Sequence, residues 1–166
     1  MTIAASPSYP HEEMPTDAYR KQLEAEKARS TVQLLFKAAR LLNERAIERV
    51  RTRSGQPVRV AHTALFPHID LEGTRLTDIA KRLGVTKQAA GQLVDELEAM
   101  GMLERVPDPA DARAKLVRYS KRGQKALLDG LAVLAEIGDE MQSIIGASRM
   151  TALHEALTAI VASSKE

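Results

Sequence analysis

Residues 76–95, LTDIAKRLGVTKQAAGQLVD, contain two short amphipathic helices on either side of a turn. Their apolar residues recur at helical spacing, at Ile79, Ala80, Leu83, Val85, Ala90 and Leu93. Gly84 lies at the turn, where a left-handed backbone is needed, and Val85 is expected to fill the gap between the helices. This spacing predicts a helix-turn-helix, and a plain helical hairpin with the same core is the alternative.

Threonines precede the helices, and glycines follow them. Thr77 is expected to cap the first helix, and Thr86 is expected to cap the second. The second helix of a helix-turn-helix reads DNA bases mostly from its N-terminal part. Its outward polar residues are therefore candidate DNA contacts, and glutamine can pair bidentately with adenine. These candidates are Thr86, Lys87, Gln88 and Gln92, and the alternative for each is an ordinary solvated surface position.

A hairpin is expected directly after these helices. Its strands are predicted at residues 103–106 and 115–119, joined by a protruding loop at 107–112. Arg113 lies near the tip and suits the narrow minor groove, while Asp111 either orients this arginine or pairs with it. Lys115 and Arg118 are candidate phosphate contacts. Together the two motifs predict a winged helix-turn-helix with a small β-wing in a mainly α-helical chain.

Long amphipathic helices flank this lobe. One is predicted from Asp17 to the break at 54–57, and another begins at Ser120 and is interrupted at Gly146. A shorter helix over 58–69 is expected to be kinked or ended by Pro67. The small lobe cannot cover both long apolar stripes, so a second copy of the chain is expected to do so. A monomer whose helices fold back is the alternative.

These observations divide the chain into four parts. They are a flexible N-terminal arm at 1–16, an N-terminal dimerisation helix at 17–56, the winged helix-turn-helix lobe at 57–119, and C-terminal dimerisation helices at 120–166.

The composition of the 166 residues excludes several classes of protein. Absence of cysteine rules out thiol catalysis, thiolate metal sites and disulfides. Aromatic residues make up only 3%, which argues against base-stacking platforms for single strands. No apolar run is long enough to cross a membrane, and residues 1–15 lack the pattern of a secretory signal, so a cytoplasmic location is expected.

The net charge of +2 conceals an uneven distribution. Residues 17–53 contain ten bases and five acids, and residues 75–122 contain ten bases and seven acids. Residues 123–166 are acidic, with three bases and six acids. The two basic blocks are consistent with a polyanionic partner, although ordinary solvated helix faces explain them as well.

The chain resembles the MarR (multiple-antibiotic-resistance regulator) family of bacterial transcription factors. The resemblance lies in LTDIAKRLGVTKQ at 76–88, LVDELE at 93–98 and GMLER at 101–105. It continues through the wing, DPADARAKLV at 108–117, and ends in SKRG at 120–123. The flanking helices fit the family in order and length, so the resemblance covers nearly everything after residue 16.

This resemblance implies a homodimer that binds a pseudo-palindromic operator in double-stranded DNA and represses a nearby gene. Many members release DNA when a small phenolic or anionic effector enters a cleft between the dimerisation domain and the lobe. Asp111 and Arg113 match the family's wing pair, with Arg113 in the minor groove. If the family arrangement holds, the cleft draws on Phe36, Arg40, His62 and Phe66.

Three departures from the family pattern are visible. Many relatives have Ser-Arg or Thr-Arg where this chain has Gly91-Gln92, so a common phosphate or guanine contact is missing. Ala112 replaces a frequent charged residue in the wing. Without cysteine, the peroxide-sensing branch of the family does not apply.

Other chemistry finds little support in the sequence. His62 and His68, with Asp70 and Glu72 beyond, are poorly spaced for one metal site, so no metal or cofactor is expected. No nucleophile elbow, phosphate-binding loop or HExxH run occurs, so the chain is not expected to be an enzyme. The prediction is a ligand-responsive DNA-binding repressor. The alternatives are a winged-helix module that binds a protein partner and, less well supported, a membrane-surface binder.

Overall fold

The computed structural model describes residues 15–163. The predicted N-terminal arm therefore lies almost entirely outside the described residues. The chain divides into two compact units, the first ending at Arg40 and the second beginning at Leu41. Within residues 15–163, no helix is both long enough and apolar enough to cross a membrane.

The described residues are mainly helical, with a small antiparallel sheet, so the predicted fold class is confirmed. The helices are α1 (Asp17–Arg29), α2 (Thr31–Ser54), α3 (Val60–Leu65), α4 (Leu76–Leu83), α5 (Lys87–Ala99), α6 (Lys121–Ile145) and α7 (Ala147–Ser163). The strands are β1 (Thr74–Arg75), β2 (Leu103–Asp108) and β3 (Asp111–Tyr119), in the order β1-β3-β2. One turn of 3₁₀ helix, Phe66–His68, follows α3 and contains Pro67.

The N-terminal unit contains α1 and the first part of α2. The prediction of one continuous helix from Asp17 was wrong, because Ser30 adopts an extended backbone between α1 and α2. Its hydroxyl accepts a hydrogen bond from the Gln33 backbone N–H at 3.3 Å, which favours a new helix start. Among residues 15–40, every residue except the half-buried Ser30 is exposed, so this part of the unit has no buried core.

The second unit contains the winged-helix lobe, whose core lies between α3, α4, α5 and the sheet. Its completely buried side chains are Leu65, Ile79, Ala90, Val94 and Leu97. Gly84 adopts the expected left-handed conformation, with φ of 67°. The expectation for Val85 was wrong, because its side chain is 43% exposed rather than packed between the helices.

The two predicted threonine caps have different outcomes. The Thr86 hydroxyl accepts a hydrogen bond from the Ala89 backbone N–H at 3.2 Å, so it caps α5 as expected. Thr77 does not cap α4, because the helix begins one residue earlier, at Leu76, and Arg75 occupies the N-cap position.

The hairpin is longer and tighter than predicted. Strands β2 and β3 extend to Asp108 and from Asp111, so the expected loop at 107–112 is reduced to Pro109 and Ala110. The polar connection before α4 contributes strand β1, which pairs with β3 by placing Thr74 opposite Val117. This strand, which was not predicted, ties the base of the wing to the start of the helix-turn-helix.

A second, smaller core joins α2 to α6 within the same unit. Ala46, Val133 and Ile137 are buried there. Beside it, arginines at every fourth position of α2 pair with two glutamates of α6. Arg53 lies 2.6 Å from Glu136, and Arg49 lies 2.6 Å from Glu140. Ser120 caps α6 as expected, because its hydroxyl accepts a hydrogen bond from the Gly123 N–H.

Candidate nucleic-acid interface

The N-terminal half of α5 presents a polar face to solvent. Thr86, Lys87, Gln88 and Gln92 are all exposed, as expected of residues available to a large ligand. Three of them, Lys87, Gln88 and Gln92, line a shallow depression together with Leu76, Gly91, Asp95 and Arg105. Lys87 is a cation at the first turn of α5, where the helix dipole also favours anions. This face can therefore approach a polyanion closely.

Carboxylates on the C-terminal half of α5 are paired with arginines from other elements. Arg105 of β2 lies 2.7 Å from the Asp95 carboxylate and also contacts Glu98. Arg59, the residue before α3, contacts Glu96. These pairs offset negative charge that would otherwise repel a phosphate backbone next to the exposed polar face. The sequence did not reveal these partners, because they belong to separate elements.

His62 connects α3 to α5 from inside the lobe. The side chain is 1% exposed, and its Nδ1 accepts a hydrogen bond from the Arg59 backbone N–H at 3.1 Å. In the neutral ring Nε2 then carries the proton and donates it to Glu96 Oε2, 2.7 Å away. The hydrogen bond from His62 and the charge of Arg59 hold the pKa of Glu96 below its usual value.

The wing tip is organised by Asp111. Its carboxylate accepts a hydrogen bond from the backbone N–H of Arg113 at 3.1 Å. The aspartate thus orients the backbone at Arg113, not the guanidinium, and its other oxygen lies 3.8 Å from Arg75. Arg113 is exposed and has no ion pair with any residue in the described range 15–163.

An ion pair between Asp108 and Arg75 supports the tip of the wing, with the carboxylate buried and the arginine half-exposed. Asp108 is 6% exposed, and its Oδ2 accepts hydrogen bonds from Arg75 of β1, with Nε at 2.7 Å. Its Oδ1 accepts the Ala110 backbone N–H at 2.8 Å, which closes the turn. The Ala110 N–H, followed by Arg75, lowers the pKa of Asp108. Sequence reasoning missed this pair, because its partners are separated by 33 positions.

The two remaining wing cations differ in their surroundings. Arg118 of β3 donates to Glu104 of β2 across the sheet at 2.8 Å, so part of its charge is already neutralised. Lys115 is exposed and lies opposite Pro107 in the ladder. Both face solvent, but only Arg118 would have to exchange a carboxylate for a phosphate.

A largely apolar cavity of about 760 Å³ lies in the second unit, between α2, the 3₁₀ turn and α6. Phe66 and Tyr119 form part of its wall, and the Tyr119 hydroxyl donates to the Phe66 carbonyl at 2.8 Å. Burial raises the pKa of Tyr119 to about 12, so this phenol stays neutral. Its cationic lining residues are Arg53, Arg122 and Lys125.

The four predicted cleft residues are placed differently. Phe66 lines the cavity, whereas His62 does not, because its ring is turned towards α5. Phe36 is 64% exposed and Arg40 is also exposed, and both belong to the N-terminal unit. Within residues 15–163, no cluster of three or more histidine or carboxylate side chains could hold a metal ion.

A helix-turn-helix followed by a hairpin, with the second helix and the hairpin tip both exposed, defines a winged helix-turn-helix protein. Residues 62–114 match the model of the MarR family. This span runs from α3 into β3 and includes the whole helix-turn-helix. The resemblance predicted from the sequence is therefore confirmed over this span.

Solved structures repeat the fold of the chain. A protein of Mycobacterium tuberculosis, RV1404, is 22% identical with a TM-score of 0.66, over 83% of this chain and 97% of its own. The transcriptional repressor CouR, bound to a 23-mer DNA duplex, is 21% identical with a TM-score of 0.61, over 82% and 95%. CouR from Rhodococcus jostii, bound to p-coumaroyl-CoA, is 22% identical with a TM-score of 0.59. The match covers 81% of this chain and 93% of CouR. No curated protein sequence matches the chain.

Proposed function

We propose that the chain is a homodimeric transcriptional repressor that binds a pseudo-palindromic operator and is released by a small ligand. The observation that carries this proposal is the exposed face of α5 beside a wing tip whose Arg113 has no ion pair within residues 15–163, in a lobe that matches the MarR family model. In this arrangement α5 enters the major groove and Arg113 enters the adjacent minor groove.

The proposed DNA contacts have separate roles. Gln88 and Gln92 read base edges, and Arg113 reads the width of the minor groove. Thr86, Lys87 and Lys115 bind phosphates, and Arg118 contributes less because Glu104 already holds it. Asp111 fixes the backbone that presents Arg113.

The homodimer is proposed because the long helices leave large apolar side chains in solvent. Those of the N-terminal unit include Val32, Leu34 and Phe36, and those of the second include Leu128, Ile144 and Ile160. A second copy of the chain covering these residues buries apolar surface, at about 25 cal/mol per Å². A dimer also provides two lobes, which suits a two-fold symmetric DNA site.

The ligand is proposed to be a small anionic or phenolic molecule with an apolar body. The cavity of the second unit supports this class, because its lining is mostly apolar and includes the cation Arg122. Its other two cations, Arg53 and Lys125, are paired with Glu136 and Asp129. CouR, which shares the fold, has been solved with p-coumaroyl-CoA and, separately, with DNA. Binding of such a ligand is proposed to favour a form of the chain with low affinity for DNA.

A DNA titration tests the core of this proposal. The purified chain is titrated against the DNA upstream of its own gene at two salt concentrations, with random duplex as competitor. Site-specific binding with a log–log salt slope of several units supports a regulator, since each neutralised phosphate contributes about 0.9 to the slope. Lack of binding even at low salt refutes the proposal and favours a winged helix that binds a protein partner.

A further inference from the structure

Glu96 lies where the α3 region meets α5. One of its oxygens, Oε2, contacts the His62 ring and the Arg59 guanidinium, both from the α3 region. The other oxygen, Oε1, faces the side-chain amide of Gln92, with Gln92 Nε2 3.5 Å away, at the long end of hydrogen bonding. Because Gln92 is exposed one turn earlier on α5, Glu96 connects the buried interior to the DNA-facing surface.

We infer that Glu96, held by His62, is a positioning residue that orients the Gln92 amide for base recognition. This inference rests on the proposed DNA-binding function. The amide of Gln92 carries two N–H groups and one carbonyl oxygen. If one N–H is donated to Glu96, the other N–H and the carbonyl oxygen remain for the two edge groups of adenine.

Only a carboxylate can play this part at position 96. It accepts hydrogen bonds on both oxygens at once, from His62 on one side and from Gln92 on the other. A glutamine of the same shape has a single acceptor oxygen, so it satisfies one neighbour and turns an N–H towards the other. The buried His62 restricts the rotamer of Glu96, which lowers the entropy lost when Gln92 binds a base.

Glu98 provides a matched control on the same helix. Its carboxylate pairs with Arg105 of β2, and its partners in the described residues do not include Gln92. Glu98→Gln therefore removes one carboxylate and one ion pair from α5, as Glu96→Gln does. A general loss of helix stability should appear in both variants, whereas an effect on Gln92 should appear in Glu96→Gln alone.

The test measures DNA specificity and epistasis together. Wild type, Glu96→Gln, Gln92→Ala, the double variant and Glu98→Gln bind a duplex selected by the wild type from a random-sequence library, and a scrambled duplex of equal length. We expect Glu96→Gln and Gln92→Ala each to reduce the preference for the selected duplex by about tenfold. The double variant should lose no more than Gln92→Ala, and Glu98→Gln should keep the wild-type preference.

Two results overturn the inference while leaving DNA binding intact. One is an equal loss of affinity for both duplexes in Glu96→Gln, which indicates a structural role. The other is a double variant whose loss is the product of the single losses, since independent residues add in free energy. A wild type that selects no sequence overturns the proposed function as well.

A second measurement requires no DNA. In a heteronuclear NMR spectrum, the two side-chain amide protons of Gln92 should shift in Glu96→Gln and remain in place in Glu98→Gln. Unshifted Gln92 resonances in a folded Glu96→Gln variant overturn the inference directly.

Discussion

The winged-helix lobe and the long helices treat their apolar side chains in opposite ways. In the lobe, Leu65, Ile79 and Leu97 are completely buried within one chain. On α6, Leu128 and Ile144 are 67% and 79% exposed, and the described N-terminal unit has no buried side chain. The core of the lobe is therefore closed within one copy of the chain, whereas the helices leave apolar side chains in solvent, which supports the proposed dimer.

The largest expected effect tests the closed core of the lobe. Leu97→Ala should lower the free energy of unfolding by about 2–5 kcal/mol, because it removes buried side-chain contacts and leaves a cavity in the core. Leu71→Ala, at a side chain exposed in the same lobe, should change it by less than about 0.5 kcal/mol. Chemical denaturation measures the free energy of unfolding of both variants. Equal losses would contradict the complete burial of Leu97 in the core of the lobe.

The next effect tests the open surface of the helices. Ile144→Glu places a charge on the proposed dimer face of α6, and the dissociation constant of the dimer should rise at least about tenfold. Gln142→Glu adds the same charge at an exposed position of the same helix and serves as the control. Sedimentation equilibrium gives the constants. A wild-type chain that sediments as a monomer at micromolar concentration would contradict the comparison.

The next largest effect compares the contributions of two wing arginines to DNA affinity. Arg118 pairs with Glu104, whereas Arg113 has no ion pair within residues 15–163. Arg113→Ala should weaken operator binding about tenfold, the lower part of the range for one lost arginine contact. Arg118→Ala should weaken it less than about threefold, since Glu104 already neutralises this cation. Fluorescence anisotropy at fixed salt measures both. The reverse order would show that the Glu104 pair opens on DNA and that Arg118 is the stronger contact.

The smallest effect separates Thr86, which precedes α5, from Thr77, which lies in the first turn of α4. Thr86→Ala should cost about 1 kcal/mol of unfolding free energy, because it removes the hydroxyl that caps α5. Thr77→Ala should cost less than about 0.5 kcal/mol, because Thr77 is an exposed residue inside α4. Thermal unfolding measures the pair, and similar losses would mean that the cap on α5 adds little stability.

Local signals in the sequence predicted the helix-turn-helix well. Gly84 and Thr86 act through the backbone next to them, so their roles are visible in a few residues. Ser30 was missed because a break without glycine or proline leaves no strong local signal. Strand β1 was missed because two residues are too few to show an alternating pattern.

Long-range partners could not be predicted from the sequence. The exposed face of α5 was foreseen because helical spacing decides which residues point outward. The contacts that hold α5 from below, His62 with Glu96 and Arg105 with Asp95, depend on the tertiary packing of separate elements. A histidine in an apolar stretch followed by Leu65 was the one available hint that His62 is buried.

The start of α6 has a mechanical consequence. A side-chain carbon at Gly123 would overlap the carbonyl oxygen of Met102, so the first turn of α6 lies directly on the corner between α5 and β2. Ser120 fastens this corner from both sides, with its N–H on Met102 and its hydroxyl on Gly101. This close packing leaves no room for a hinge at the start of α6. The wing and the first turn of α6 should therefore move as one rigid body, and a change in the orientation of the lobe requires bending further along α6.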